Sequence, residues 1–291
     1  MTQITSVTFV GFGEAGMAFR AGWGEDAPAD LRTFDVKSTR SASRNVMTAR
    51  YAQNGVAGHD SLAAAVTGAA AVFSVVTADQ ALIAAQDAAP HLLPGAFWFD
   101  CNSCAPGTKR EAAAVITAAG GRYVDVAVMS PVHPKRHHVP LLIAGPDAAA
   151  AQTALESLDM KPRMVGAEVG RASSIKMLRS VMVKGMEALT AECFLAARRA
   201  GVEEEVIGSL EASDADIRWR ARGTYNLERM MVHGTRRAAE MVEVAKTVDE
   251  LGLGGRMAAA AATWQALIAD LAADPGDDDL YARADIILSR L

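Results

Sequence analysis

The stretch VTFVGFGEAGMAF, residues 7–19, decides how the rest of the chain is read. Val7 to Val10 form an apolar run of strand type, and Gly11, Gly13 and Gly16 then make a GxGxxG pattern directly before helical periodicity. In that setting the first glycine makes the turn, the second lets the backbone approach a pyrophosphate, and the third packs helix on strand. The N–H groups at the start of the following helix would face the phosphate charge. Gly11, Phe12, Gly13, Glu14, Ala15, Gly16 and Met17 are therefore expected along a bound dinucleotide.

Further along, the second strand DLRTFDV ends with Asp35, 19 residues beyond Gly16. A carboxylate there accepts hydrogen bonds from the adenosine ribose hydroxyls and repels a 2'-phosphate, which favours NAD. Lys37 and Arg40 follow closely and keep NADP as the alternative.

Strand-like runs recur at AAVFSVV, AFWFDC, RYVDVAV and PLLIAG, several of them apolar on consecutive positions, as strands covered on both faces require. Helical stretches such as SRNVMTARYAQNG, ADQALIAAQDAAPHL and GTKREAAAVITAAGG lie between them. The alternation predicts an α/β fold: an N-terminal Rossmann domain with a doubly wound parallel sheet over residues 1–169. From about residue 170 only helix periodicity remains, which predicts an all-helical second domain over 170–291. A long helix capped by Ser173 or Ser174 would run to Gly201, with further helices at 203–212, 214–233, 235–251, 255–273 and 279–290.

Bulk properties narrow the class. A chain of 291 residues that is 51% hydrophobic can bury two ordinary cores. A net charge of -5 with interspersed signs offers no basic stripe for a phosphate backbone, so nucleic acid is not an expected partner. Three cysteines make no disulfide framework, the N-terminus shows no basic n-region, and the apolar stretch 257–273 is short for a span and carries Gln265 and Asp270. A cytoplasmic protein with no membrane partner is the expectation.

SSIKMLRSVMVKG, residues 173–185, poses a separate question. At 3.6 residues per turn Lys176, Ser180 and Lys184 line one side of the helix, beside Met177, Leu178, Val181 and Met182. Lysines there can snorkel, stems on the core and heads in water. Cys101 and Cys104 form a CxxC that follows a strand instead of opening a helix, which argues for packed small residues over a redox pair. His133, His137 and His138 are interrupted by Pro134 and flanked by Lys135 and Arg136, so no metal site is expected and a basic loop is the simpler reading.

Several stretches together resemble the β-hydroxyacid dehydrogenase family, the relatives of 3-hydroxyisobutyrate and 6-phosphogluconate dehydrogenases. DCNSCAP, residues 100–106, is similar to the family's DxSTxxP, with Asn102 and Ser103 in place of Ser and Thr. The segment beginning VDVAVMSP at 124 is similar to DAPVSGG, with Met129, Ser130 and Pro131 replacing Ser, Gly and Gly. GRASSIKMLRS is similar to GxGxxxKxxxN, with Ala172 and Ser180 as departures, and puts Lys176 on the catalytic lysine. KMLRSVMVKGMEAL and RRAAEMVEVAKTVDELGL resemble a bacterial subgroup with its own C-terminal domain type; Arg237 and Glu240 lie near the family's later Lys-Asp pair without matching it.

The resemblance implies a lysine acid–base catalyst acting on a small hydroxy acid or its oxo or aldehyde counterpart in a cleft between domains. The nicotinamide would lie near Val76, Thr77 and Asn102. Asn102, Ser103, Met129, Ser130, Ser180 and Lys184 would meet the substrate, and the helical domain would form a homodimer. A lysine near a helix N-terminus, if partly buried, is favoured as the neutral amine, as proton transfer requires. Two other functions share the fold: imine reduction, against which Lys176 argues, and a dinucleotide sensor without catalysis, conceivable because the 129–131 loop is altered.

Overall fold

The computed structural model describes residues 4–291; residues 1–3, part of the stretch read for a signal peptide, lie outside it. The chain divides into two compact units, Met1–Lys176 and Met177–Leu291.

The first unit is an eight-stranded sheet: β1 (Ser6–Val10), β2 (Asp30–Phe34), β3 (Ala57–Gly58), β4 (Ala71–Ser74), β5 (Phe97–Asp100), β6 (Arg122–Val128), β7 (Pro140–Ala144) and β8 (Lys161–Gly166). Their spatial order is β3-β2-β1-β4-β5-β6-β7-β8, with the chain reversing direction across the sheet after β3, as in doubly wound folds. The helices are α1 (Glu14–Trp23), α2 (Ser41–Gln53), α3 (Leu62–Val66), α4 (Ala81–Ala88), α5 (Pro106–Ala118) and α6 (Ala148–Glu156). Side chains alternate between the faces. Phe9, Phe73 and Phe99 pack with Phe19, Trp23 and Met47 in one cluster, and Val72, Trp98 and Tyr123 pack with Ala85, Ala112 and Ile116 in another.

The sheet is mostly parallel, as expected of a doubly wound fold, with one reversed pair and a further strand at its end. β7 runs antiparallel to β6, and β8, parallel to β7, forms an edge that the sequence did not announce. β8 has no buried residue and carries Pro162, so it lacks both the apolar run and the full donor set of an interior strand.

The second unit is helical: the remainder of α7 (Arg171–Ala200), then α8 (Glu203–Ser213), α9 (Trp219–Glu250), α10 (Arg256–Asp270) and α11 (Leu280–Leu288). α9 is one continuous helix where two, at 214–233 and 235–251, were expected. Gly234 allows close packing on α10, since a Cβ there would lie 2.6 Å from the Gln265 carbonyl oxygen. Among the described residues no helix is long and apolar enough to cross a membrane.

The unit also inverts the expected burial of α7. Leu178 and Met182 are exposed, whereas Ser180, Lys184, Glu187 and Thr190 are buried. Lys184 does not snorkel: its Nζ lies 2.6 Å from Glu240 Oε2, and burial pushes its ammonium below the ordinary lysine range against the pull of that carboxylate.

Candidate active site

The glycine turn is built as its spacing predicts. Gly11 has φ +83°, and a Cβ there would lie 2.9 Å from the Val75 carbonyl oxygen and 3.0 Å from Val76 Cγ1, so no larger residue fits between β1 and β4. A Cβ on Gly13 would meet no atom within 4 Å, leaving open space above the first turn of α1. Gly16 is buried, and a Cβ there would press on Phe12 Cδ2 at 3.1 Å. Of the neighbours named with them, Glu14 is exposed in the first turn of α1, Ala15 and Met17 are half-buried against the core, and the Phe12 ring is fully buried against Phe9 and Tyr51.

Phe12 contributes to the turn through its backbone. Its N–H donates to Asp35 Oδ2 at 2.9 Å, while Asp35 Oδ1 accepts from the Lys37 N–H at 2.9 Å. The half-buried carboxylate is thus oriented by the main chain, and each oxygen retains a further lone pair for a ribose hydroxyl. Lys37 and Arg40 are both exposed beside it.

The loop after β5 holds the next group. Asn102 is buried; its Nδ2 donates to Ser74 Oγ at 2.9 Å and to Asp100 Oδ1 at 2.8 Å. Its Oδ1 is buried without a hydrogen-bond partner among the described residues, a polar atom that needs a donor. The open space at Gly13, the oriented Asp35 and this orphaned acceptor fit a dinucleotide carrying a carboxamide. Val76 touches the glycine turn, and Thr77 is exposed at the end of the β4 segment.

Ser103 follows Asn102, and Lys176 Nζ donates to its Oγ at 2.7 Å. Two motifs 73 residues apart in sequence therefore meet, and both side chains are half-buried. The expected helix cap is corrected: α7 begins at Arg171, before Ser173, and the carboxylate of Asp125 on β6 takes the capping role. Its Oδ2 accepts from the Gly170 N–H at 3.0 Å, the Ser173 N–H at 3.1 Å and the Ser173 hydroxyl at 3.2 Å.

In the 129–131 loop the first residue is tied to the sheet. The Met129 N–H is bonded to the Pro140 carbonyl at 3.0 Å because β7 folds back on β6, so it is engaged in the sheet and not offered to a ligand. Ser130 is half-buried, its hydroxyl donating to the Pro131 carbonyl at 3.2 Å. In the second unit Ser180 is buried and accepts from Lys184 Nζ at 3.4 Å, and Arg237 pairs with Glu187. The snorkelling reading, with the head in water, is thereby overturned for Lys184, which is buried.

Sequence reasoning missed Lys109. It is fully buried, with Nζ 2.6 Å from the Asp100 carbonyl oxygen, 2.9 Å from Asp100 Oδ1 and 3.7 Å from Asp125 Oδ1. The two carboxylates hold its ammonium above the ordinary range although desolvation, the largest effect, opposes them. The signal was available: Lys109 lies on the stripe of Pro106, Ala112, Ala113 and Ile116 that α5 buries. A second convergence was also unmarked, because His138 Nε2 lies 2.7 Å and His137 Nε2 3.5 Å from Asp159 Oδ2, with Lys161 on the other oxygen at 2.8 Å.

Cys101 and Cys104 are buried, and burial pushes the Cys101 thiol up to about 12. In the native protein at pH 8 a disulfide-exchange reagent should therefore modify half-buried Cys193 first, with Cys101 and Cys104 reacting on the order of 100-fold more slowly until the chain is unfolded. Rapid modification of Cys101 and Cys104, followed by mass spectrometry, would restore the redox-pair reading.

Residues 6–165 match the NAD binding domain of 6-phosphogluconate dehydrogenase, and residues 197–268 match DUF1932, a domain of unknown function. A conserved hypothetical protein from Sinorhizobium meliloti 1021, of known structure, is 36% identical and aligns over 100% of this chain and 98% of its own, with a TM-score of 0.78. The Mycobacterium tuberculosis 3-hydroxyisobutyrate dehydrogenase, solved with L-serine, is 18% identical over 97% of this chain and 99% of its own, with a TM-score of 0.70, a likeness of fold alone. The uncharacterized 28.5 kDa protein in the 7S RNA 5' region of Methanothermus fervidus is 26% identical over 156 residues, 52% of this chain. This chain spans 57% of that curated relative. With residues 6–165, more than half of the chain, matched to that NAD-binding domain, the chain belongs to the β-hydroxyacid dehydrogenase family, its nucleotide-binding domain followed by a DUF1932 domain.

Proposed function

We propose that the protein is an NAD(P)-dependent oxidoreductase of small hydroxy acids and their oxo or aldehyde counterparts, with Lys176 as the acid–base group. The observation that carries this reading is the 2.7 Å hydrogen bond from Lys176 Nζ to Ser103 Oγ, which joins an amine to a hydroxyl in the loop beside the orphaned Asn102 oxygen. The nicotinamide, when bound, supplies the hydride acceptor for oxidation and the donor for reduction. Gly11, Gly13, Gly16 and Asp35 would hold the dinucleotide, and Asn102 would orient its carboxamide.

Lys176, as the neutral amine, takes the proton of a substrate hydroxyl during oxidation and returns it from the ammonium during reduction. Ser103, which accepts from Lys176, keeps its own hydroxyl proton for a substrate oxygen. Ser130 and Ser180 are retained as substrate contacts in this proposal. Lys184, buried against Glu240, would take a substrate anion only in exchange for that carboxylate. A homodimer formed through the helical unit is part of the reading, supported by the exposed apolar side chains of Met182, Leu253 and Met257 there.

The test is absorbance at 340 nm with hydroxy acids, aldehydes and imines, each with both coenzymes. Turnover of a hydroxy acid is expected, with NAD preferred by roughly tenfold or more because a carboxylate at Asp35, beside the ribose in this reading, would repel a 2'-phosphate. An Asp35→Ser variant should narrow that preference. Cofactor binding without turnover of any substrate would leave a sensor, and turnover of imines alone would leave an imine reductase.

A further inference from the structure

We propose that Asp125, tied to Asp100 through Lys109, is a positioning residue that sets the first turn of α7 and thereby holds Lys176 against Ser103. The inference rests on the acid–base reading of Lys176 given above.

One buried cluster bonds the chain just before each partner of the Lys176–Ser103 pair, at Asn102 on one side and at Gly170 and Ser173 on the other. On the Ser103 side, Asp100 Oδ1 accepts from the Asn102 N–H at 3.0 Å and from Asn102 Nδ2, while Asp100 Oδ2 accepts from the Tyr123 hydroxyl at 2.7 Å. These bonds fix the backbone that leads into Ser103. On the Lys176 side, Asp125 Oδ2 gathers the Gly170 and Ser173 N–H groups and the Ser173 hydroxyl. Lys176 stands three residues beyond Ser173, one helical turn on, so rotation of that first turn moves its amine directly. Lys109 Nζ lies between the carboxylates, 2.9 Å from Asp100 and 3.7 Å from Asp125.

The electrostatics explain why the arrangement is rigid. Lys109, Asp100 and Asp125 are each at most 1% exposed, and their formal charges of one plus and two minus leave a net -1 in the core. The excess negative charge sits against N–H groups at a helix N-terminus, where the helix dipole favours it. A buried network of this kind adds little stability over apolar packing, so its use is to define geometry. Asp125 Oδ1 has no hydrogen-bond partner among the described residues beyond its ion pair, so the carboxylate spends its bonding capacity on the helix.

The full chain is compared with Asp125→Asn and with Lys109→Met/Asp125→Asn, which loses both ties yet leaves the cluster at net -1 through Asp100. Ser173→Ala, which removes the hydroxyl bond to Asp125 and changes no charge, is the third variant and carries the test should the others not fold. Three quantities are read: kcat and KM on the substrate that the 340 nm screen identifies, the NADH Kd, and the rate of Lys176 acetylation by trace acetic anhydride relative to exposed Lys135. Loss of positioning lowers kcat by about tenfold, leaves the NADH Kd within about twofold, and raises relative acetylation of Lys176 on the order of threefold. In the double variant the unchanged cluster charge assigns the acetylation change to position. Folded variants with wild-type kcat and wild-type acetylation, whatever their Tm, overturn the proposal. Survival of turnover in Lys176→Ala would remove the acid–base reading instead, and the acetylation rates would still report whether Asp125 places the amine.

Discussion

On the proposed acid–base role, Lys176→Ala should lose turnover by about 10²–10⁴-fold while binding NADH with a Kd within about twofold of the wild type. The range is that of a positioned acid–base group. Under the proposed acid–base role, truncation at Cβ removes the proton acceptor for oxidation, and it leaves Ser103 without the donor that now lies 2.7 Å away. Cofactor affinity should persist because the glycine turn and Asp35 are formed by β1, β2 and α1, none of which depends on the lysine. The comparison with Lys176→Arg is informative, since guanidinium keeps the charge and a hydrogen bond to Ser103 but does not act as a base. Recovery of Kd-type substrate binding without recovery of kcat would separate charge from proton transfer. Lys176→Ala turning over within about threefold of wild type would end the lysine assignment.

How much of this was legible in the chain depends on whether the signal is local. Gly11, Gly13 and Gly16 act within one turn, and the apolar runs at 6–10, 71–74 and 97–100 need only their own composition, so the sheet could be anticipated. Lys176 and Ser103 were named from separate motifs, yet their contact is a property of the folded chain. Burial of charge was where local reasoning failed. Lys109 occupies a buried position on an otherwise apolar stripe, which a hydropathy pattern treats as an error when it is an ion pair with carboxylates from β5 and β6.

Helix α7 shows the same limit more sharply. Hydropathy alone turns Leu178 and Met182 inward and Lys184 outward, and the observed burial is the reverse. The partners that make Lys184 and Glu187 tolerable inside, Glu240 and Arg237, stand more than 45 residues away on α9. Gly234 follows the same logic, since its closeness to α10, unlike a turn, leaves no local trace. The sequence window that detects a period cannot detect a partner.

Glu187→Ala should be the most destabilising single change in the helical unit, by about 3–5 kcal/mol. Glu187 is 2% exposed and serves three helices: from α7 it accepts both contacts of the Arg237 guanidinium on α9, one of them at 2.9 Å, and Gln265 Nε2 on α10 at 2.8 Å. Its removal strands a guanidinium that is 8% exposed and a fully buried amide whose Oε1 already lacks a partner among the described residues. It also takes a carboxylate away from Lys184, which burial already disfavours as the ammonium. The corresponding fall in Tm is on the order of 10 °C. Glu187→Gln keeps shape and one acceptor but not charge, so its loss should fall between the two. The decisive comparison is Glu187→Leu/Arg237→Met, in which both charges leave together. Because a buried pair contributes little beyond apolar packing of the same volume, the double variant should be more stable than Glu187→Ala, with a coupling energy of roughly 1–3 kcal/mol. Denaturant melts that put Glu187→Ala within about 1 kcal/mol of wild type would mean that the pair is solvated and that α7, α9 and α10 are held by apolar packing such as that of Met177 and Ala188 with Met241, Val244, Ala258 and Ala261.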